Sequence, residues 1–423
     1  MKIVVFVNAL GLGGTEKAAC RWARGLKERG HSIVVLALGD GPRRMELESA
    51  GVETRTVEPS AASISRYLRE IQPDVIHTHA PGVPHPGDVL GDALATLPKI
   101  PVVQTNIFGR FDNPREDRWT DFRLFISWTS CVQAARRSLL PLDKTFLRRA
   151  SVAVYPLDPD EEPNTEDIAD FRHEHGVRED EILFGRLSRP EPNKWTNLPL
   201  AAFRRAQRRN PRIKLLLREP PSLICDQIAT ASDRDRFVVL TATSDPCELR
   251  RTMASLDVVL HTSSIGESFG YGIAEPMNLG KPVITNSTPW GDQAQVELVR
   301  HGECGLIAST EATMAEAILT FASDSALRAR MGRQARENIQ RIADPNKSLD
   351  RLENALGAVI TGQDNSRYAE DLIEMQAAAA YLDQHQFGHP IGERCFLHSF
   401  YWRVQFYKWR QRVRRWFGSK IRL

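Results

Sequence analysis

The sequence predicts an α/β protein of two domains, each built on an open parallel sheet covered by helices. The 423 residues exceed the size at which a single hydrophobic core usually stops growing. Short continuous apolar runs, typical of strands buried on both faces, alternate with amphipathic segments of helical period. This alternation stops at the acidic, proline-rich stretch YPLDPDEEPNTED and then starts again, which indicates a second domain.

The first domain is predicted at residues 1–160. It begins with a βαβ unit, in which KIVVFVN and SIVVLAL are the strands and TEKAACRWARGLKERG is the helix. The apolar runs DVIHTHA, PVVQTN and LFISWTS extend the sheet. We expect a linker at 161–180, because the chain there lacks hydrophobic periodicity.

The second domain is predicted at residues 181–345. Its strands are EILFGRLS, IKLLLRE, FVVLTAT, DVVLHTS and PVITNS, with helical segments such as NLPLAAFRRAQRRN between them. Sheets of this kind bind ligands outside the carboxyl ends of their strands, so we expect two Rossmann-like domains facing a cleft. Residues 346–423 are predicted to form a C-terminal helical extension.

The composition excludes several classes of protein. With 42% apolar and 26% charged residues, the chain resembles an ordinary globular protein, and no run reaches the length of a membrane span. The amino terminus lacks the features of a signal peptide, so we expect a cytoplasmic protein. The cysteines have no ligand spacing, which predicts reduced thiols and no metal site. They are Cys20, Cys131, Cys225, Cys247, Cys304 and Cys395.

The stretch GESFGYGIAEPMNLGKPVITNS, at 266–287, places Glu267 and Glu275 on either side of a glycine-rich turn. We expect a helix from near Phe269 to about Leu279, ended by Gly280. Its free amides suit a diphosphate, and the flanking carboxylates suit the hydroxyls of two sugars, as in a nucleotide sugar. The alternative is purely structural: the helix dipole favours glutamate near a helix start, and glycines mark turns.

The pattern ESFGYGIAE followed by PMNLGKPVI resembles the paired-glutamate motif of retaining glycosyltransferases of family 4, which have the GT-B fold of two Rossmann-like domains. The segments GLGGTEK, GRLSRPEPNKW and TPWGDQAQVELVRHGECGLI agree with that family in the same order. The resemblance covers residues 1 to about 345. It implies sugar transfer from a nucleotide diphosphate sugar, with no cofactor and no metal.

The resemblance also implies roles for single residues of this motif. Glu275 would hold the ribose hydroxyls of the donor, and Glu267 would face hydroxyls of the transferred sugar. Backbone amides around Ser268, Phe269 and Gly270 would contact the donor phosphate or sugar.

Two cations complete the catalytic set that the resemblance implies together with Glu267. Arg186 and Lys194 match the basic pair that neutralises the departing diphosphate, which fixed cations stabilise without a metal. The insertion PEPN separates them by eight positions, more than is common in the family, and leaves Arg189 as a substitute for one of them. The alternative interpretation of Arg186 is a solvated charge at a strand end.

Gly13 and Gly14 match the glycine loop that lets the acceptor and the donor phosphate approach the backbone. The stretch GLGGTE is not GxGxxG, and Asp40 follows the second strand near the position of a ribose-binding acid. A dinucleotide-binding oxidoreductase therefore stays open for this half alone, and the second domain argues against it.

Many relatives have a histidine after the strand that corresponds to PVVQT, but here Asn106 takes that place and has no titratable proton. His77, His79 and His85 lie at or after the preceding strand, either as ordinary loop histidines or facing the cleft. We place His79 and Asn106 on the acceptor side.

The last segment, 396–423, contains eight basic residues and no acid. Trp402, Trp409 and Trp416 belong to an apolar stripe at helical spacing, which is typical of a helix that binds an anionic membrane surface. The alternatives are a helix docked on the protein body or a nucleic-acid-binding tail; we favour the membrane and expect no nucleic-acid partner.

Together these features predict a metal-independent, retaining glycosyltransferase of hexosyltransferase type, peripheral on the cytoplasmic membrane face. Its partners would be a nucleotide-sugar donor and a glycan or lipid-linked acceptor of surface polysaccharide or lipopolysaccharide synthesis. Two alternatives stay open: a nucleotide-sugar epimerase on the same fold, and a non-catalytic nucleotide-sugar-binding partner subunit.

Overall fold

The structure is a computed structural model that describes residues 1–83, 88–111, 113, 115–138, 140–158, 163–191, 194–289 and 291–385. The predicted membrane-binding residues Trp402, Trp409 and Trp416 lie outside these described residues, as does His85.

The first sheet has seven strands, all parallel, in the order β3-β2-β1-β4-β5-β6-β7. The predicted runs KIVVFVN, SIVVLAL, DVIHTHA and PVVQTN lie in this sheet, because buried strands of a parallel sheet are mainly apolar. Only the first two residues of LFISWTS do, and the two edge strands were not predicted. The strands are β1 (Lys2–Val7), β2 (Ser32–Ala37), β3 (Glu53–Thr56), β4 (Val75–Ala80), β5 (Val102–Asn106), β6 (Phe122–Phe125) and β7 (Ala150–Val152).

Six α-helices connect these strands, and a 3-10 helix at Glu116–Arg118 precedes β6. Several begin at side chains that accept a hydrogen bond from the first turn, such as Ser60 before the third helix. The helices are α1 (Gly14–Glu28), α2 (Arg43–Ser49), α3 (Ala61–Ile71), α4 (Leu90–Leu94), α5 (Trp128–Arg137) and α6 (Lys144–Leu147).

The second sheet has six parallel strands in the order β10-β9-β8-β11-β12-β13. In both sheets the first strand has its two successors on one side and the later strands on the other, which is the Rossmann arrangement. The strands are β8 (Ile182–Leu187), β9 (Ile213–Arg218), β10 (Phe237–Leu240), β11 (Val258–Leu260), β12 (Val283–Thr285) and β13 (Gly305–Ile307).

Ten further α-helices follow in the described chain, with a 3-10 helix at Arg234–Arg236. The predicted C-terminal helical extension is present as far as residue 384. The helices are α7 (Thr165–Glu174), α8 (Leu198–Gln207), α9 (Ser222–Ala229), α10 (Pro246–Ala254), α11 (Tyr271–Asn278), α12 (Ala294–Val299), α13 (Glu311–Ser323), α14 (Ser325–Ile342), α15 (Pro345–Thr361) and α16 (Tyr368–Gln384).

The chain forms two compact units. Of the described residues, unit 1 comprises those within 1–161, 268–278 and 336–379, and unit 2 those within 162–267, 279–335 and 380–385. The division cuts the glutamate motif, since Glu267 belongs to unit 2 and Glu275 to unit 1. Each unit has its own apolar core, with Val4, Phe6 and Leu36 in unit 1 and Phe184, Phe203 and Leu215 in unit 2.

The domain boundaries predicted from the sequence stay predictions, but the predicted linker 161–180 is not irregular throughout. It contains α7, which begins where the Asn164 side chain accepts a hydrogen bond from the Asp167 amide. Along the described part of the chain, every helix is too short or too polar to span a membrane.

Candidate active site

The point where the strand order of the second sheet reverses lies between β8 and β11. Arg186 is the last but one residue of strand β8, and Glu267 follows strand β11 after a short loop. Ligands of open α/β sheets bind at such a switch point, outside the carboxyl ends of the strands. Unit 2 therefore brings two of the predicted catalytic residues to the place where the fold favours binding.

Glu267 is buried, with 6% of its surface exposed, and both of its carboxylate oxygens have partners. His261 Nε2 lies 3.0 Å from Oε1, and Lys194 Nζ lies 2.9 Å from Oε2. A carboxylate only accepts hydrogen bonds, so His261 donates through Nε2. The backbone amide of Glu267 donates to Gln295 Oε1 at 3.0 Å, which fixes the residue further.

The pKa of Glu267 reflects this surrounding. Burial alone would raise it, but the hydrogen bond from His261 and the charge of Lys194 lower the pKa to about 2. The carboxylate is therefore ionised at neutral pH. Burial lowers the pKa of His261, and the hydrogen bond to Glu267 only partly opposes that shift.

Arg186 is also buried, at 1% exposure. Its guanidinium lies over the Trp195 ring, 4.3 Å from the centroid, and donates to Thr262 Oγ1 and to the backbone oxygen of Lys194. Burial lowers the pKa of Arg186 to about 10, although the Glu267 carboxylate opposes the shift. The buried Arg186 and Glu267 and the half-buried Lys194 thus form one cluster of charges.

The PEPN insertion does not move Lys194 away from this cluster. The Lys194 amide donates to the Glu191 carbonyl at 2.9 Å, and the Lys194 backbone oxygen accepts from the Arg186 guanidinium. Arg189 instead is largely exposed and pairs with Glu191 at 3.1 Å. The eight-position spacing therefore leaves Lys194 beside Arg186, and Arg189 is not required as a substitute on geometric grounds.

The loop before Glu267 requires glycine at position 266. Gly266 has a φ of 76°, and an added Cβ would lie 1.7 Å from the Asp292 carbonyl oxygen. The amide of Asp292 donates to the Ile265 carbonyl at 3.1 Å, so the two loops are held together through their backbones. This fit sets the position of the Glu267 side chain.

The other half of the motif belongs to unit 1. Helix α11 begins at Tyr271, two residues later than predicted, because the Gly270 carbonyl accepts the first helical bonds from Ile273 and Ala274. Phe269 is buried against Tyr155 and Tyr271, with ring centroids 5.8 and 4.9 Å away. The Gly270 φ of 97° and the Gly280 φ of 69° explain glycine on either side of the helix.

Glu275 forms an ion pair with Lys17, from helix α1 of the same unit. The GLGGTEK and ESFGYGIAE segments meet at a second point, since a Cβ on Gly14 would lie 3.1 Å from the Tyr271 ring. Gly14 therefore has a packing reason to be glycine. An added Cβ on Gly13, the residue before helix α1, would meet the Glu16 carboxylate, which lies beside that helix start.

The structure gives His79 and Asn106 buried positions. His79 is 5% exposed and packs against Trp22 and His77, and burial lowers its pKa to about 3. The Asn106 side chain bonds the backbone nitrogen and oxygen of Arg110 at 3.0 and 2.7 Å, which closes a turn. Their acceptor-side roles stay predictions, and both side chains have structural roles as well.

Sequence reasoning missed His261 and Lys17. His261 stands directly after the apolar run DVVL, at the carboxyl end of a predicted strand, and that position was a usable signal. Lys17 stands one turn into the helix that follows the glycine loop. Its pairing with Glu275, 258 residues away, has no signal in the sequence.

Two family models match the chain. The model described as "Glycosyl transferase 4-like domain" matches residues 13–184, and the model described as "Glycosyl transferases group 1" matches residues 167–338. A search of curated protein sequences found no significant match.

Solved structures share the fold at low sequence identity. HepE from Anabaena, in complex with UDP-glucose, matches with a TM-score of 0.68 at 19% identity, over 85% of this chain and 100% of that one. A glycosyltransferase from Rickettsia africae matches with a TM-score of 0.71 at 14% identity, over 86% and 99% of the two chains. WaaG, a glycosyltransferase involved in lipopolysaccharide biosynthesis, matches with a TM-score of 0.60 at 14% identity, over 82% and 98%.

Proposed function

We propose that the chain, which belongs to family 4 of the glycosyltransferases, is a retaining, metal-independent hexosyltransferase that uses a UDP-sugar. Enzymes of this family have the GT-B fold and transfer a sugar from a nucleotide sugar. The observation that carries this proposal is the charged cluster of Glu267, Lys194 and Arg186 at the switch point of the second sheet. UDP is proposed as the nucleotide of the donor because HepE, which has the same fold, was solved in complex with UDP-glucose.

The cluster suits the loss of a nucleoside diphosphate. As the bond to the sugar breaks, negative charge grows on the leaving phosphate, and preorganised cations stabilise it most where water is excluded. Arg186 and Lys194 are the cations proposed for this step. Lys194 is 24% exposed at its side chain and keeps protons to donate beyond its bond to Glu267.

Glu267 is proposed to face hydroxyls of the transferred sugar. It stays ionised at neutral pH and is held by His261 and Lys194, so it is a fixed acceptor rather than a proton donor. Backbone amides around Ser268, Phe269 and Gly270 are proposed to contact the donor phosphate or sugar, and Gly13 and Gly14 its phosphate. Glu275 is proposed to accept hydrogen bonds from the ribose.

The acceptor is proposed to be a glycan or a lipid-linked sugar of surface polysaccharide or lipopolysaccharide synthesis. Two observations support this: WaaG, with the same fold, takes part in lipopolysaccharide biosynthesis, and the sequence after residue 395 combines tryptophans with eight basic residues. A segment of that composition favours anionic lipid, so we propose a peripheral position at a membrane surface. His79 and Asn106 are proposed on the acceptor side.

Product analysis with UDP-glucose, a lipid-linked acceptor and a chelator tests the function. Transfer predicts free UDP in equal amount to a new glycoside of unchanged anomeric configuration. An isomeric donor without UDP release would instead show an epimerase, and donor binding without turnover would show a binding subunit. Glu267→Ala is expected to abolish transfer while the protein remains folded.

Membrane binding is tested separately by sedimentation with vesicles of phosphatidylcholine alone and with added phosphatidylglycerol. We expect the full chain to bind only the anionic vesicles, and combined replacement of Trp402, Trp409 and Trp416 by alanine to abolish that binding. Equal binding to both vesicle types would contradict the electrostatic part of the proposal.

A further inference from the structure

Lys17 and Glu275 come from two segments that the sequence singled out separately, GLGGTEK and ESFGYGIAE. Their side chains form an ion pair in unit 1, and both are partly buried, with 28% and 19% of the side chains exposed. Among the described residues, the Glu275 side chain accepts its hydrogen bond from Lys17. The negative charge of the carboxylate proposed to hold the ribose is therefore already balanced by the Lys17 ammonium.

The lysine is held in place by more than this ion pair. Its ammonium lies 5.1 Å from the centroid of the Tyr271 ring, a cation–π contact. Arg21, one turn further along helix α1, lies over the same ring at 5.4 Å and donates to the Pro156 carbonyl. The Tyr271 hydroxyl donates to that carbonyl at 3.2 Å. Lys17 thus approaches Glu275 from a fixed direction.

The pair leaves room for a ligand. A carboxylate offers about four lone-pair positions, and Lys17 uses one of them, on Oε1. Two neighbouring ribose hydroxyls need two more. A diphosphate repels a bare carboxylate nearby, because like charges raise each other's energy in a partly buried site. The Lys17 ammonium beside Glu275 removes that repulsion and leaves the other lone pairs of the carboxylate for the ribose hydroxyls.

We propose that Lys17 is a positioning residue for the donor: it neutralises and orients Glu275, so that the carboxylate accepts the ribose hydroxyls of an anionic nucleoside diphosphate. This inference rests on the proposed function and adds Lys17 to the residues proposed for the donor site. Lys17 acts through Glu275 and not on the phosphates.

The test is calorimetric titration with UDP of the wild type, Lys17→Ala, Lys17→Arg, Glu275→Ala and the double variant Lys17→Ala/Glu275→Ala. Lys27→Ala is the matched control, since Lys27 is an exposed lysine on the same helix. We expect Lys17→Ala to weaken UDP binding about tenfold, the size of one charge-assisted hydrogen bond, and Lys17→Arg to restore most of it. Lys27→Ala is expected to bind as the wild type does.

Two further readouts separate positioning from general damage. Lys17→Ala is expected to raise the KM for the donor while kcat stays unchanged. Its effect is expected to vanish in the Glu275→Ala background, where no carboxylate remains for Lys17 to neutralise or orient. A loss of affinity that persists in that background would mean that Lys17 acts directly on the phosphates, and would overturn the inference.

Failure of the inference is distinct from failure of the proposed function. If Glu275→Ala weakens UDP binding and Lys17→Ala leaves it unchanged or tighter, the donor site stands and Lys17 has no positioning role. If Glu275→Ala itself binds UDP as the wild type does, the proposed ribose contact is wrong.

Discussion

The switch points of the two sheets have the same topology and opposite chemistry. In unit 2, between β8 and β11, the buried Glu267 carboxylate accepts hydrogen bonds from both His261 and Lys194. In unit 1, beside β1, strand β4 carries the buried His77 and His79. Both ring nitrogens of His79 lack a hydrogen-bond partner among the described residues.

The difference shows what a carboxylate does to a buried histidine. His261 and His79 are both buried, and burial lowers the pKa of each. Beside Glu267, however, the imidazole of His261 is part of a charged cluster, whereas His79 packs as a neutral ring against Trp22 and His77. The same fold position thus carries a histidine bonded to a carboxylate in one unit and a packed neutral histidine in the other.

The largest effect is expected from removing the charge at the centre of the unit 2 cluster. Glu267→Gln keeps the size of the side chain but leaves Lys194 without its anion, and we expect kcat to fall about 10³-fold. Glu316→Gln is the control, because Glu316 is an exposed carboxylate of the same unit. UDP release assays measure both, and turnover within tenfold of the wild type would remove Glu267 from the chemistry.

Next in size is the loop that positions Glu267. Gly266→Ala combines a φ of 76° with a backbone oxygen 1.7 Å from the new Cβ, so we expect it to lower the free energy of unfolding by about 3 kcal/mol. Gly280→Ala is the matched control: its φ is 69°, but the nearest atom is 3.8 Å away. It should cost about 1 kcal/mol. Urea unfolding of both variants compares them, and equal losses would mean that the contact with Asp292 relaxes freely.

The buried His79 of unit 1 predicts that the free energy of unfolding falls by about 2 kcal/mol in acid. Since burial lowers the pKa of His79 from its ordinary value of 6.5 to about 3, the unfolded chain binds the proton more readily. Stability is therefore complete above pH 6.5 and falls as the pH decreases from 6.5 towards 3. His79→Phe removes this proton uptake. Between pH 7 and pH 4.5 its free energy of unfolding should therefore fall by about 2 kcal/mol less than that of the wild type.

Urea unfolding at the two pH values measures this, with the exposed His173→Phe as control. We expect the control to lose stability between the two pH values as the wild type does. An identical acid response of His79→Phe would mean that His79 takes up its proton without leaving its packed position.

The smallest expected change is at His261. His261→Leu removes one hydrogen bond to Glu267, and we expect kcat to fall about tenfold. Because that bond helps to lower the pKa of Glu267, the acid limb of the pH–rate profile should move to higher pH. His261→Gln, which retains a donor, should restore most of both. An unchanged acid limb would show that Lys194 alone keeps Glu267 ionised.

The fold was largely predictable from the sequence. Strands buried on both faces must be continuously apolar, and the runs DVIHTHA, PVVQTN and DVVLHTS all form strands of the parallel sheets. The helix of the glutamate motif was predicted within two residues of its observed ends, because glycine marks both of them. Local rules of backbone conformation suffice for features of this kind.

The contacts of the site were less predictable. The widened spacing left Arg189 as a substitute for Arg186 or Lys194, but the backbone oxygen of Lys194 accepts a hydrogen bond from Arg186 in the structure. The Lys17–Glu275 pair joins segments 258 residues apart, which no periodicity or local motif encodes. Spacing along the chain identifies candidates, but only tertiary packing decides which of them meet.

The packing of Gly14 against Tyr271 also affects how genetic experiments on this protein are interpreted. A larger residue at position 14 is expected to inactivate the protein by displacing the Tyr271 ring, even where the donor phosphate never touches that glycine. Suppressor mutations should then arise at position 271, as smaller side chains that restore the fit. Such a pair of compensating substitutions would show that the amino-terminal loop and the glutamate motif depend on each other through packing and not through the reaction.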